Sequence, residues 1–428
     1  MRNNQIIRFL FVLYIITIIL EKISWTFGGW GCNLFTIFTP ILSVLLIIIY
    51  CVKRKPLRLD SADRRFNRYY LLLLLYVLLQ FVVIDHTTNM TTQYIKGVVV
   101  LIIEVIAFFN FVMLINYDEA SIDYEFVSRV FYIITIANVL YCVLQNINPQ
   151  IDEQFVRFFH STVVRYGTDS YGAMRRPTGF FIESNFNGPF LVIGFINEIY
   201  RLRTSTRFGT FKRGLQIVLI ALTAFEIFMT LSLTTYIGFA VYGIIAFLNS
   251  NIQNKGRWIL LFGTFALAVA YFYFTNSSLQ IAVNSKFNTF SSIDTLKNNS
   301  HYVLAVQAIS IFFLNGRNII FGTGYNCLNV FFQNEFGYQV MKAHNYFLQR
   351  LCELGLLGFL LIIYYISSLY KAARSDTKEG VLLKTILITM LSMNFTYDAF
   401  TRNYNFIIVI MALLIYKGRV FAKSEMLY

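Results

Sequence analysis

A lysine, a histidine and an asparagine stand directly before a long apolar run near the C-terminal end of the chain, at Lys342, His344 and Asn345. Asn345 is placed to cap the helix that this run predicts, and His344 then lies where the helix N-terminus adds positive potential. An imidazole accepts a proton from a hydroxyl near neutral pH, or donates hydrogen bonds to an anion. The pattern predicts a catalytic His344, with Lys342 and Asn345 binding substrate; the alternative is that His344 is only a polar anchor.

Two adjacent arginines, Arg175 and Arg176, precede a second apolar run, and Glu183 follows seven residues after Arg176. A guanidinium stays charged and binds phosphate as a rigid multidentate donor. A carboxylate one or two turns inside a membrane helix is costly, and it indicates function by default. We expect catalytic roles for Arg176 and Glu183 and a substrate-binding role for Arg175. The alternative is arginine anchoring at the interface, with a structural ion pair to Glu183.

The third set of candidates flanks a predicted helix, His301–Leu314, which Gly316 is expected to end. His301 at one side and Arg317 at the other are predicted to contact a phosphate or glycan. The nearby Gly322-Thr323-Gly324 indicates a tight turn, since it does not match a full phosphate-binding loop. The five cysteines have no metal-type spacing. The sequence therefore predicts neither a metal nor a cofactor.

The elements that must position these residues are membrane helices. Of the 428 residues, 57% are hydrophobic and only 14% are charged, far below the roughly 25% of a soluble domain. The apolar runs suit helices that cross a ~30 Å hydrocarbon core, and they are too long and too uniformly apolar for barrel strands. We predict an all-α polytopic membrane protein with about twelve spans, at 6–20, 34–52, 69–85, 95–115, 130–147, 178–199, 214–230, 233–249, 258–275, 346–370, 383–399 and 404–417.

Loop charges predict the orientation of this single membrane domain, residues 1–428. About two thirds of the 36 Lys and Arg residues fall in the segments that are cytoplasmic if both termini are cytoplasmic, as the positive-inside rule requires. The net charge of +14 is therefore explained by topology and not by nucleic acid. Two long outer loops remain, at 148–177 and 276–345. The basic residues of these loops are not explained by the positive-inside rule, and they indicate an anionic ligand on the outer face.

Other ionisable residues lie within or at the ends of the predicted spans. Glu104 and Glu226 stand in apolar runs, where each lines a cavity or pairs with a base on a neighbouring helix. Arg350 and Glu353 are three residues apart on one helix and are predicted to pair. Asp398 and Arg402, at the last outer turn, are also predicted to pair.

Several segments together resemble the bacterial O-antigen polymerase and ligase superfamily. The stretch Arg176–Asn185 is similar to its arginine-glycine-acid-asparagine pattern, and Leu231–Gly238 to its serine-rich helix start. Phe321–Tyr325, then His344-Asn345-Tyr346 and Glu353–Gly358, are similar to its C-terminal region. The resemblance covers about residues 176–365, and the histidine-asparagine followed by glutamate-leucine-glycine is its most specific part.

The resemblance implies a membrane glycosyltransferase architecture of the GT-C type. It implies an inverting, metal-independent transfer from an undecaprenyl-pyrophosphate-linked oligosaccharide, with the arginine role on Arg176 and the histidine role on His344. Many members also carry an arginine where this chain has Thr234-Thr235, and another where it has His301. A second phosphate-binding arginine is therefore not evident, and Arg317 or His301 is expected to substitute.

Three functions follow, in order of preference. The first is a polymerase that joins lipid-linked repeat units into capsule, O-antigen or exopolysaccharide at the outer face of the cytoplasmic membrane. Its partners would be the lipid-linked glycan, membrane lipid, a chain-length regulator and a flippase. The second is a ligase that moves a finished glycan to another acceptor. The third, from another class, is a transporter or lipid-linked sugar flippase, which Glu104 and Glu226 favour and the long basic outer loops disfavour.

Overall fold

The structure is a computed structural model of the chain. It describes residues 2–27, 30–57, 59–117, 121–148, 150–161, 176–204, 210–249, 300–337, 342–373 and 377–425, and within 255–284 only short pieces at 255–256, 263–264, 267, 270–277, 280–281 and 283–284.

Helices make up almost all of the described structure. In chain order they are α1 (Arg2–Ile19), α2 (Leu34–Val52), α3 (Ser61–Gln80), α4 (Thr88–Tyr117), α5 (Tyr124–Ile147), α6 (Ile151–Phe158), α7 (Ser184–Thr204), α8 (Thr210–Met229), α9 (Leu233–Leu248), α10 (Ser300–Phe312), α11 (Gly316–Phe321), α12 (Leu328–Phe336), α13 (Tyr346–Ala373), α14 (Lys378–Asn394) and α15 (Asn405–Glu425). A short antiparallel hairpin, β1 (Ser24–Phe27) with β2 (Trp30–Asn33), follows α1.

The prediction of an all-α polytopic membrane protein is confirmed. Each predicted span except the one at 258–275, which lies largely outside the described residues, overlaps one of these helices. Among the described residues, four helices are long and apolar enough to cross a membrane by length and composition, namely α2, α4, α5 and α13. Shorter apolar helices lie at Gln5–Ile19, Leu233–Leu248, His301–Phe312 and Asn405–Gly418.

The distribution of apolar side chains shows which helices face lipid and which form the centre. Isoleucine, leucine and valine side chains on one side of α2, such as Ile41 and Ile48, are exposed, as they are along α3. Such extended apolar surface is typical of a membrane-facing helix. In α15, by contrast, residues 406–415 are buried on every side. A helix buried all round lies within a bundle, so α15 is the central helix against which α13 and α14 pack.

The segments predicted as long outer loops contain helices of their own. The first includes α6, and residues 162–175 of it lie outside the described part. In the second, the predicted helix at His301–Leu314 is confirmed as α10, but Gly316 does not end it. Gly316 instead begins α11, because the side chain of Asn315 accepts a hydrogen bond from Asn318 N and caps a new helix there.

Helix α13 is interrupted at Gly355, whose φ of 64° and ψ of −174° leave the helical region. The turn that precedes α12 lies against this interruption. Its backbone N–H groups at Thr323 and Gly324 donate to the carbonyl oxygens of Cys352 (2.8 Å) and Glu353 (3.1 Å). The predicted tight turn at 322–324 is therefore present, and it serves as the partner of a broken helix.

Side chains of α3 complete the hydrogen bonding of the interrupted helix. The hydroxyl of Tyr76 donates to the carbonyl of Leu354 (2.6 Å), and the amide of Gln80 donates to the carbonyl of Glu353 (2.7 Å). Backbone groups released by a break in a membrane helix need partners of this kind, because lipid offers none. The break is thus built into the packing of α3 against α13.

We expect Gly355→Ala to destabilise the protein. A Cβ at Gly355 would lie 2.4 Å from the carbonyl oxygen of Ile320, and the positive φ alone costs about 1–3 kcal/mol for a residue with a side chain. The measurement is the melting temperature of the purified protein in detergent. Gly214→Ala is the matched control, because its added methyl meets no atom within 4 Å and alanine favours the interior of α8. An unchanged melting temperature for Gly355→Ala would contradict the expectation.

Candidate functional site

The Arg176–Glu183 segment is an irregular turn held by side chains of α5. Gly179 has a φ of +56°, and a Cβ there would meet the side-chain oxygen of Asn138 at 2.3 Å, so only glycine fits. The side-chain oxygen of Gln145 accepts hydrogen bonds from the backbone N–H groups of Thr178 (3.2 Å) and Gly179 (2.9 Å). Helix α5 therefore sets the path of the chain that carries Arg176.

A buried ion pair supports the same segment from the residues that follow α1 and from the first turn of α6. One carboxylate oxygen of Asp152 accepts hydrogen bonds from Lys22 Nζ (2.6 Å), the Tyr141 hydroxyl (2.7 Å) and Gln145 Nε2 (2.7 Å). The backbone N–H of Lys22 donates to the carbonyl of Phe180 (3.2 Å). Three donors on one carboxylate oxygen compensate the burial of this charge, and the network ties α6 to the turn.

Glu183 does not lie inside a helix, and the prediction that placed it there is wrong. It is the last residue before α7, and its carbonyl oxygen accepts hydrogen bonds from Phe186 N (3.0 Å) and Asn187 N (3.2 Å). The turn at 178–183 takes up the residues that the prediction assigned to the first turns of the span. The half-buried carboxylate lies within electrostatic range of Glu21 and Tyr397.

The guanidinium of Arg176 is buried between the first turn of α7 and the end of α8, with 4% of the residue exposed. Its Nε donates to the backbone carbonyl of Thr230 (2.5 Å), and one terminal nitrogen donates to the side-chain oxygen of Asn185 (2.8 Å). A charged donor that neighbouring groups already hold in place needs no reorganisation when an anion approaches. The geometry therefore provides a fixed positive charge at this position.

His344 lies in a short loop just before α13. Its φ of +50° is unusual for a residue with a side chain. The predicted cap is confirmed, since the side-chain oxygen of Asn345 accepts a hydrogen bond from Leu348 N (3.0 Å), while its amide donates to the carbonyl of Phe395 (3.0 Å). The imidazole of His344 contacts that of His301, with ring centroids 4.3 Å apart. The structure thus brings His301, His344 and Asn345 together.

Burial lowers the pKa of the His344 imidazole to about 4, and the neighbouring His301 and Lys342 act in the same direction while Asp398 opposes them. The imidazole is therefore neutral at pH 7. A neutral imidazole keeps one nitrogen as a hydrogen-bond acceptor. His344 is consequently in the protonation state that can take a proton from a hydroxyl group.

Two aromatic rings connect the Arg176 side of the site with the His344 side. Phe186, which follows the Asn185 that binds Arg176, lies 5.6 Å from Tyr397 between ring centroids. The ring of Tyr397 lies 6.1 Å from that of His344. The guanidinium carbon of Arg402 stands over the Phe186 ring at 3.1 Å from its centroid. The Phe186–Tyr397 pair, with Arg402 against it, therefore links His344 with the first turn of α7, where Asn185 binds Arg176.

A cavity of about 160 Å³ adjoins the His344 loop. Its charged lining consists of Glu104, Lys342, Arg350, Glu353, Asp398 and Arg402. The predicted pair of Arg350 and Glu353 is confirmed at 2.8 Å. The predicted pair of Asp398 and Arg402 is wrong: Asp398 binds Lys342 (3.3 Å), and the 3₁₀ turn at Ala399–Thr401 turns Arg402 towards Phe186.

Arg317 lies apart from the histidine pair. It lies in α11, whereas His301 stands in the first turn of α10, a 13-residue helix that is about 20 Å long and separates the two in the chain. Both terminal nitrogens of Arg317 bind the carboxylate of Asp85 (2.7 and 2.8 Å), and this hydrogen bonding lowers the pKa of Asp85. Arg175 lies outside the described residues, so its substrate-binding role stays a prediction.

Sequence reasoning missed the functional potential of the cavity residues Arg350, Arg402 and Asp398, which it interpreted as members of helix or turn ion pairs. For Glu104 it gave a cavity as one of two alternatives, and the structure has Glu104 in the cavity lining. Their signal in the sequence was the presence of charged side chains at or within membrane spans. Their convergence was not visible, because it joins α4, α13 and the turn before α15.

This arrangement defines a helical membrane protein with a charged, partly enclosed site. Residues 218–363 match the sequence model of the family described as O-antigen ligase. The match confirms the predicted resemblance to the O-antigen polymerase and ligase superfamily, and it supports a glycosyl-transferring function in polysaccharide synthesis. The matched segment includes His301, His344 and Glu353, whereas Arg176 lies before it. No curated protein gives a significant match to the chain.

Proposed function

We propose that the protein polymerises undecaprenyl-pyrophosphate-linked oligosaccharide repeat units into a surface polysaccharide, such as capsule, O-antigen or exopolysaccharide. The observation that carries this proposal is the aromatic pair Phe186–Tyr397, which links the neutral His344 with the turn of α7 that binds the buried Arg176, beside a charged cavity. The reaction would take place at the outer face of the cytoplasmic membrane, with both termini of the chain in the cytoplasm, as the distribution of basic loop residues favours.

In the proposed reaction, a hydroxyl oxygen of the acceptor sugar attacks the anomeric carbon of the donor sugar from the face opposite the pyrophosphate. The bond between that carbon and the phosphate oxygen breaks, the lipid pyrophosphate leaves with the bonding electron pair, and the configuration is inverted. The acceptor hydroxyl loses its proton to a base. Since pyrophosphate is a good leaving group once its charge is stabilised, fixed cationic donors supply the main catalytic effect without a metal.

The described residues support the following roles. Arg176 stabilises the charge that develops on the pyrophosphate, and Arg402 is the second guanidinium near the aromatic pair. His344 accepts the proton of the acceptor hydroxyl, and Glu183, at the start of α7, orients that hydroxyl. His301 and Lys342 line the approach to His344, as does the capping residue Asn345. Arg317 receives no role at this site, because its guanidinium is occupied by Asp85.

A ligase is the second candidate, because the matching family is itself described as O-antigen ligase. Both reactions use a lipid-linked glycan as donor, and they differ in the acceptor. A polymerase accepts another lipid-linked repeat unit, supplied to the outer leaflet by a flippase and limited in number by a chain-length regulator. A ligase accepts a different molecule, so its loss leaves long chains on the lipid carrier.

The length profile of cell-surface and lipid-linked glycan in a deletion strain tests this proposal. We expect single repeat units in the deletion strain, and long chains after complementation with the wild-type gene. Long lipid-linked chains that never reach their acceptor would show a ligase. A normal profile in the deletion strain would contradict glycan assembly and return attention to transport, for which uptake of substrate into vesicles is the direct measurement.

A further inference from the structure

The cavity next to the His344 loop has the size of one six-membered ring. Its volume of about 160 Å³ compares with the roughly 150 Å³ of an engineered protein cavity that accepts benzene. Its walls come from α4, from the Tyr325-Asn326 turn, from the first two turns of α13 and from the 398–402 turn. The side-chain oxygen of Gln349 in this wall accepts a hydrogen bond from Ala343 N (2.9 Å), next to His344. The cavity and the catalytic loop are thus directly joined.

The charges around the cavity suit an uncharged polar ligand better than a phosphate. The lining holds three basic side chains and three carboxylates, and two of the bases are already paired with two of the acids. A pyrophosphate here would meet three negative charges in a partly buried site, which is unfavourable. Hydroxyl groups both donate and accept hydrogen bonds. They therefore suit a wall that contains both carboxylates and cationic donors.

Several polar atoms of the lining have unused hydrogen-bonding capacity. Asp398 is 4% exposed, and its Oδ1 accepts no hydrogen bond from any described residue. Arg402 Nε is also buried and donates to none of the described residues. The half-buried Glu104 also lines this cavity. Buried polar atoms normally have partners, so one buried acceptor and one buried donor of the cavity lining are available to a ligand, beside the carboxylate of Glu104.

We propose that this cavity binds one sugar ring of the lipid-linked glycan, adjacent to the bond at which His344 acts. Glu104 and Asp398 accept hydrogen bonds from sugar hydroxyl groups, and Arg402 Nε donates one to a hydroxyl or ring oxygen. The pyrophosphate binds elsewhere, at Arg176. This assignment rests on the proposed glycan-assembling function, and it adds a saccharide subsite that selects the sugar placed beside the reacting bond.

The test is equilibrium binding of two probes to the full chain purified in detergent. The first probe is an oligosaccharide obtained by partial acid hydrolysis of the host's surface polysaccharide, and the second is inorganic pyrophosphate. We expect the oligosaccharide to bind the wild-type protein and pyrophosphate not to displace it. Glu104→Gln should weaken oligosaccharide binding roughly tenfold, since a hydrogen bond to a carboxylate is replaced by one to a neutral amide.

Two further variants keep the test decisive if Glu104→Gln folds poorly. Val100→Phe places a ring into the cavity from a position that is half exposed, and it should abolish oligosaccharide binding without destabilising the core. Glu198→Gln is the matched control, because it makes the same change at a buried glutamate near the inner end of α7, bonded to Thr223. Its oligosaccharide binding should equal that of the wild-type protein.

The proposal would be overturned by the absence of oligosaccharide binding to the wild-type protein, by equal binding to Glu104→Gln and Val100→Phe, or by displacement with pyrophosphate. The last result would show an anion site. The proposed function fails on a different measurement, a normal glycan length profile in the deletion strain. Shortened chains in that strain, together with oligosaccharide binding that is indifferent to Glu104, would reject the subsite alone.

Discussion

Replacement of Arg176 by alanine is expected to reduce glycan chain elongation about 100- to 1000-fold, the usual cost of losing one donor that stabilises developing charge. The guanidinium is buried and held by the Thr230 carbonyl and by Asn185, so it meets the leaving pyrophosphate already oriented. The measurement is the rate of polymer formation from lipid-linked repeat units by purified protein, with the glycan length profile in complemented cells as the companion readout.

Two variants separate catalysis from structural support in this experiment. Arg176→Lys keeps a positive charge but loses the forked donor geometry, and we expect a rate between those of wild type and Arg176→Ala. Arg157→Ala removes another arginine, in α6, which is exposed and pairs with Glu153, and its rate should not change. If the rate loss of Arg176→Ala followed its loss of folded protein, Arg176 would be a structural residue and the catalytic assignment would be wrong.

His344→Asn is expected to lower the rate by about 100-fold or more, in the range that general base catalysis contributes. Asparagine is the chosen replacement because it tolerates positive φ better than most residues, and His344 has a φ of +50°. The backbone path into α13, and the cap that Asn345 provides, should therefore persist. Single-turnover rates of the variant and the wild-type protein, at equal amounts of folded protein, give the comparison.

The pH dependence provides an independent measurement of the same role. Since the pKa of His344 is lowered to about 4, kcat/KM should stay level below neutral pH and fall only as the pH approaches that value. His301→Gln removes one of the groups that lower this pKa, so the inflection should move to higher pH. An inflection that is indifferent to His301, or a His344→Asn variant with full activity, would show that His344 is not the base.

The membrane architecture was predictable because it depends on local composition. The length of an apolar run decides whether a helix crosses lipid, and no tertiary contact is needed to recognise it. The cap at Asn345 and the pair of Arg350 with Glu353 were predictable for the same reason, since each partner lies within one turn of the other. Helix α10 followed from its apolar body alone.

The predictions about Glu183 and about the Asp398–Arg402 pair failed because they depended on distant partners, whereas the one about Gly316 overlooked a cap from the neighbouring residue. Glu183 was assigned to a helix interior, but Gln145 and Asn138 of α5 capture the preceding backbone and delay the start of α7. Gly316 was assigned to a helix end, although Asn315 caps a further helix there. Arg317 and Asp85 bind each other across 232 positions of sequence, a pairing that spacing along the chain does not reveal.

The sequence by itself determined the helical membrane fold, the resemblance carried by the histidine-asparagine and glutamate-leucine-glycine motifs, and the two segments in which Arg176 and His344 stand. Only the tertiary structure decided that Phe186, Tyr397 and Arg402 connect these segments, and that Glu104 and Asp398 face one cavity. The physical reason is that hydrophobic length and capping are properties of neighbours in sequence, whereas the pairing of buried charges depends on which helices pack together.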